Sequence, residues 1–140
     1  MDAFKFNVDG WATGNPRAAG IGGVLRNNLG SVLCLFSFFI GSQDSNTTEL
    51  LAIEKACSLC AMNLSLWSQN IKIVSDSMTA VSWINGDAFG SLDHVNVVYD
   101  IHESLRNHGS LKVQFSSRAS NSFADNLAKR GLREEEDLIQ

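Results

Sequence analysis

The chain has 140 residues, 44% hydrophobic and 19% charged, which suits one domain with a real core and excludes a disordered or fibrous chain. Its formal net charge of −4 leaves no global basic field of the kind that coats nucleic acid, while local phosphate binding stays open. The longest apolar run, VLCLFSFFIG at 32–41, is broken by serine and too short to cross a bilayer.

Residues 3–9, AFKFNVD, alternate apolar and polar, with Phe4, Phe6 and Val8 on one face of a strand that stops on Asp9. The stretch GWATGNPRA then reads as turn chemistry. Residues 20–27 and 31–40 read as two further strands joined across NNLG, a hairpin signal. After the loop GSQDSN the period changes. Leu50, Leu51, Ile53, Cys57, Leu59 and Cys60 fit one face of a helix over 47–63. NIKIVSD (70–76) is a short buried strand that again ends on an aspartate, and a short helix follows over 77–85. A longer helix is expected over 92–108, stopped by Gly109. A strand over 111–117 and a helix over 121–132 complete the order β-β-β-α-β-α-α-β-α. Three antiparallel strands come first, and helical crossovers set the later strands parallel to the first, giving a mixed α/β domain. Residues 1–133 are expected to form that domain and residues 134–140 an acidic, frayed tail.

Three cysteines, Cys34, Cys57 and Cys60, are an odd count that suits a reducing compartment. The Cys57–Cys60 pair lacks the partners of a zinc set and falls inside a helical pattern, where two cysteines read as small core residues. No basic segment precedes an apolar stretch at the amino terminus, so no signal peptide is expected, and the location is expected to be intracellular, cytoplasmic or nuclear. His94, His102 and His108 show no ligand spacing and are expected at the surface. Trp11, Trp67 and Trp83 read as core or edge packing rather than a stacking platform. GIGG does not make a dinucleotide fingerprint, and no phosphate-loop lysine motif is present.

Most acidic residues lie in loops, on helix surfaces or in the tail, where solvation is their default role. Four stand apart: Asp9 and Asp76 end buried strands, Glu49 opens the first long helix, and Asp125 sits near the start of the last helix. Each has an ordinary reading. Asp9-Gly10 is a turn dipeptide, Glu49 could complete a capping box with Asn46, Asp76 could cap a helix, and Asp125 could complement a helix dipole. Ligands of open α/β sheets bind outside the carboxyl ends of the parallel strands. Four carboxylates brought together there would repel unless a cation neutralised them, and an all-oxygen ligand set suits Mg²⁺ or Mn²⁺.

These stretches together resemble the type 1 ribonuclease H family. NVDGWATGNPRAAGIGGVLRN is similar to its first hairpin, TTELLAIEKA to its acidic helix opening, VSDSMTAVSWING to its Asp-Ser motif and SRASNSFADNLAKRG to its closing motif. The details look most like plant members, retroelement-derived or stand-alone, and like the archaeal-like variant. The resemblance implies a ribonuclease H-like fold with a five-stranded mixed sheet flanked by helices. It implies an endoribonuclease that hydrolyses the RNA strand of RNA–DNA hybrids, leaving 5′-phosphate and 3′-hydroxyl ends. Asp9, Glu49, Asp76 and Asp125 would hold two Mg²⁺ ions, with Mn²⁺ able to substitute. Gly10, Asn15, Asn46, Thr47 and Asn121 would meet the hybrid, whose RNA strand is told from DNA by its 2′-hydroxyls. Arg118 falls in the loop where bacterial members carry a histidine. A guanidinium cannot act as a base at neutral pH, so it would contact phosphate or product. A basic, tryptophan-rich handle between the middle helices is missing from this sequence. The expected partners are an RNA–DNA hybrid and the other domains of a reverse transcriptase polyprotein, with no membrane. The alternative is a non-catalytic module on the same fold.

Overall fold

The computed structural model describes residues 4–13, 18–86, 94–108, 110–117, 121–134 and 138–140. Strands β1 (Phe4–Thr13), β2 (Ala18–Arg26) and β3 (Val32–Ser42) form an antiparallel meander. Helix α1 (Ser45–Met62) leads through a 3₁₀ turn at Leu64–Leu66 to β4 (Ile71–Ser75). Helices α2 (Met78–Ile84) and α3 (Val95–Asn107) precede β5 (Leu111–Phe115), and α4 (Ser122–Glu134) precedes β6 (Leu138–Ile139). The sheet order is β5-β4-β1-β2-β3-β6, with β1, β4 and β5 parallel.

The expected order of elements holds, with two differences. The sheet has six strands rather than five. Leu138–Ile139 pairs antiparallel with Phe36 and Ser37, and Leu35 and Gln140 exchange backbone hydrogen bonds of 2.9 and 3.0 Å. The last residues of the expected frayed tail thus satisfy the open edge of β3. Strand β1 also continues past Asp9 to Thr13, paired with β2 throughout, so Gly10–Thr13 is strand where turn chemistry was expected. What stops at Asn7 is the parallel pairing with β4, whose last register pair is Asn7 with Val74. Asp9 and Asp76 each lie two residues beyond that pair, at equal height above the parallel ladder.

The core follows from the alternation. Phe6, Val8, Leu25, Ile73 and Phe36 meet Leu50, Ile53, Ala56 and Cys57 of α1, all at most 1% exposed. Each large apolar side chain removed from water this way contributes about 1.5–3 kcal/mol before its ordering cost. Cys57 and Cys60 are core residues as expected, their thiols pushed up to about 12 chiefly by burial, far from a reactive thiolate. The opposite face of β1–β3 takes α4. Gly22 permits that approach, since a Cβ there would stand 2.4 Å from the Ala128 nitrogen.

Candidate metal centre

The carboxylates arrive from four elements. Strand β1 carries Asp9, only 4% exposed. Glu49 lies one turn into α1, and its position is set by the helix start. Asp44 caps the helix by accepting from the Thr47 N–H at 2.7 Å, so the helix opens at Ser45, two residues before the expected start. Asn46 is therefore an exposed first-turn residue rather than the partner in a capping box. Asp76 follows β4 directly, in a turn where Ser77 donates its N–H to Ser75 Oγ and caps α2 through Ala80. The helix cap is thus Ser77, which leaves the Asp76 carboxylate to other partners. Asp125 stands in the first turn of α4.

Oxygens of Asp9, Glu49 and Asp76 lie within 4.8 Å of one another. Asp125 joins them through a side-chain hydrogen bond to Asp9, and Lys129 holds its other side at 3.0 Å. Burial first, then the charge of Glu49, the hydrogen bond with Asp125 and the charge of Asp76, push the Asp9 carboxyl up to about 10. Burial likewise pushes Glu49 up to about 7, opposed by its hydrogen bonds with Asp9 and the Gly10 N–H. Carboxyls held this far above their ordinary range form a site that binds protons or a cation, and their all-oxygen donors fit a hard divalent ion. The residues therefore fit the metal expected from sequence.

The neighbouring residues divide between holding the site and facing outward. Gly10 donates its N–H to Glu49 Oε1 at 2.6 Å, and the space its missing Cβ would take is filled by Thr48, 2.7 Å away. Asn121, expected to meet substrate, is 1% exposed; its amide donates to the Val8 carbonyl at 2.7 Å and accepts from Asn7 at 3.0 Å. It fastens the start of α4 to β1 beside Asp9. Thr47 Oγ1 is hydrogen-bonded to His94 Nε2 at 2.9 Å, and His94 stacks on Trp83 at 4.9 Å. Asn15 and Arg118 lie outside the described residues.

The histidines are a correction. His94 and His108 are 6% and 7% exposed, and His102 and His108 bond the backbone carbonyls of Ile84 and Leu66. They are not the surface residues expected, because each serves a carbonyl or hydroxyl that the sequence places far away. Lys129 was also missed: it sits over the Trp11 ring at 4.4 Å as well as beside Asp125. Its four-residue spacing from Asp125 was the available signal.

Residues 7–131 match a family model described as reverse transcriptase-like, while no curated protein sequence matches the chain. Among solved structures, LC11-RNase H1, isolated from compost, is 25% identical with a TM-score of 0.86, over 96% of this chain and 98% of that one; it has also been solved with an RNA/DNA hybrid. RNase H1 of the halophilic archaeon Halobacterium salinarum is 24% identical with a TM-score of 0.84, over 95% and 99% of the two chains. A foamy viral protease-reverse transcriptase, solved with an RNA/DNA hybrid, is 20% identical with a TM-score of 0.79, over 94% of this chain and 20% of that one. These likenesses show the ribonuclease H fold.

Proposed function

The chain belongs to the reverse transcriptase-like family, and on that premise we propose that it is a metal-dependent endoribonuclease acting on the RNA strand of RNA–DNA hybrids. The observation that carries the reading is the convergence of Asp9, Glu49 and Asp76 within 4.8 Å, with Asp125 bonded to Asp9. A dissected binding module would have no need to hold a carboxylate at 4% exposure against its neighbours. The solved complexes of LC11-RNase H1 and of the foamy viral enzyme with hybrids support the substrate class.

Asp9, Glu49, Asp76 and Asp125 would hold two Mg²⁺ ions, or Mn²⁺ in their place. When bound, such ions supply a lowered pKa for the attacking water and charge neutralisation at the phosphate and its leaving 3′-oxygen, leaving 5′-phosphate and 3′-hydroxyl products. The chain's own groups supply position. The Gly10 N–H fixes one oxygen of Glu49, the Asn7–Asn121 pair fixes α4 against β1, and Lys129 orients Asp125. Trp83 and His94 hold Thr47 at the start of α1, and Thr47 and the exposed Asn46 are proposed to meet the minor groove and its 2′-hydroxyls. Arg118 is proposed to contact phosphate or product, Asn15 to join the substrate contacts, and residues 1–133 to form the working domain. The foamy viral chain, which carries this fold over 20% of its length, supports a setting within a larger reverse transcriptase polypeptide, as the plant retroelement resemblance implies.

The test uses labelled RNA–DNA hybrid, RNA duplex and DNA duplex with Mg²⁺, Mn²⁺ or chelator. The RNA strand of the hybrid should be cut with either metal and spared in chelator, while both duplexes survive. A hybrid that stays whole with both metals sinks the enzyme reading in favour of a non-catalytic module.

A further inference from the structure

Apart from the carboxylate cluster, the sheet carries a second ordered set of charges. Lys5 on β1 is in register with Lys72 on β4, Lys72 with Lys112 on β5, and Lys5 on its other side with Arg26 on β2. Partners in register project from the same face, so four cations form one row across four adjacent strands, about 14 Å from end to end. The three lysines are exposed and Arg26 half-buried, its guanidinium 5.5 Å from the centre of the Phe123 ring. Lys5, Lys72 and Arg26, together with Asn7, Asn27 and Asn28, line a cleft of about 390 Å³, and Lys112 extends the row beyond it on β5. Among the described residues none of the four meets a carboxylate; the described ion pairs join Arg106 to Glu103 and Lys129 to Asp125.

Folding alone does not account for such a row. Like charges directly opposite one another destabilise a sheet, and this chain is acidic overall, with a net charge of −4. A lysine on an edge strand guards against edge-to-edge pairing, which explains Lys112 but not Lys5 and Lys72 on interior strands. The placement relative to the site is regular. Lys5, Asn7 and Asp9 succeed one another on one face of β1, so the row begins about 13 Å from Asp9, and α4 covers that face of β1–β3.

We propose that this cationic row is an accessory contact for the phosphate backbone of a nucleic-acid duplex extending beyond the carboxylate site. Each strand of a duplex carries one negative charge per about 3.4 Å of its axis, so a row about 14 Å long faces about four phosphates of one strand. Lysine ammoniums act there as point charges, independent of base sequence. The proposal rests on the nuclease reading only for the nature of the polyanion.

The test is direct binding of labelled hybrids to the whole chain in chelator, where nothing is cut. In the triple variant Lys5→Gln/Lys72→Gln/Lys112→Gln, affinity for a long hybrid should fall about 10- to 100-fold at low salt. The slope of log affinity against log salt should shrink by about 2–3, near 0.9 for each lost phosphate contact. Lys72→Glu alone should weaken the long hybrid more than Lys72→Gln, and none of these variants should melt lower than the parent. Unchanged affinity and slope for the long hybrid overturn the proposal, as does a loss confined to polyglutamate or inorganic polyphosphate run in parallel. If the parent fails to cut any hybrid with metal yet the variants still lose duplex binding, the row stands and the nuclease reading falls. Cutting by the parent with no binding change in the variants has the opposite meaning.

Discussion

The Asp9 carboxyl, pushed up to about 10 by burial and by three acidic neighbours, links the site to the stability of the fold. Its folded value lies above the unfolded value of 3.8, so its contribution is complete below about pH 4 and is lost as pH rises towards about 10. Glu49, pushed up to about 7, acts in the same direction. The metal-free protein should therefore lose stability steadily from acid to alkaline pH. Divalent metal, which binds the ionised carboxylates and releases their protons, should restore more of it the higher the pH. Asp9→Asn keeps the shape and removes the titration. In chelator the variant should melt above the parent at neutral pH, by about 1–4 kcal/mol, with a gap that widens as pH rises. With Mg²⁺ present the order should reverse, because the variant has lost a ligand. Hybrid cleavage should fall by at least about 100-fold, beyond the loss typical of a partner one step removed from a metal. Melting curves in chelator that run parallel for the two proteins would remove the electrostatic account of the site.

At the scale of elements, α1 and α3 are joined by polar contacts at two levels. Thr47 meets His94 at the amino end, and about two turns further along α1 Glu54 shares a hydrogen bond with Asp100. Burial, then that bond and the Asp100 charge, push Glu54 up to about 7, with Lys55 opposing. The Glu54 carboxyl keeps its proton to higher pH than a free one, so this contact stabilises the helix pair at low pH and weakens as pH rises through about 7. Saturating Mg²⁺ keeps the site carboxylates ionised and isolates the effect. Under that condition Glu54→Gln should flatten the decline in melting temperature between about pH 5 and pH 8. The slope is shallow, since solvent screens half-buried Glu54 and exposed Asp100, and an identical decline in parent and variant would refute this account of Glu54. The heptad-like apolar face of α1 announced the helix, but neither of these contacts was legible in sequence. Their partners lie 46 or 47 positions apart, and a histidine or glutamate on a helix looks solvated until another helix is laid over it. The helix start was misplaced for a local reason: Asp44, Asn46 and Thr47 are all acceptable caps, and only the backbone shows which one accepts.

For the whole molecule, the order of strands and helices and the four carboxylates could be read because each rests on local periodicity and on motifs that stay together in the chain. The cationic row could not, since Lys5, Arg26, Lys72 and Lys112 become neighbours only through strand register, and a net charge of −4 conceals it. The sixth strand was hidden for a similar reason: two apolar residues after an acidic run carry no strand signal of their own. What they do is visible only from the sheet. Strand β3 presents Val32 and Leu33, 47% and 46% exposed, and without β6 its outer edge would offer unpaired backbone groups to another chain. Deleting residues 138–140 removes the reciprocal Leu35–Gln140 hydrogen bonds and should cost about 1–2 kcal/mol, at about 1 kcal/mol for each bond. It should also produce concentration-dependent association in sedimentation or size-exclusion runs. The carboxylates sit on β1, α1 and α4 and just after β4, away from that edge, so the monomer fraction should cut hybrid at the parent's rate. A truncated chain that stays monomeric with an unchanged melting temperature would mean that β3 is protected by something other than its pairing with β6.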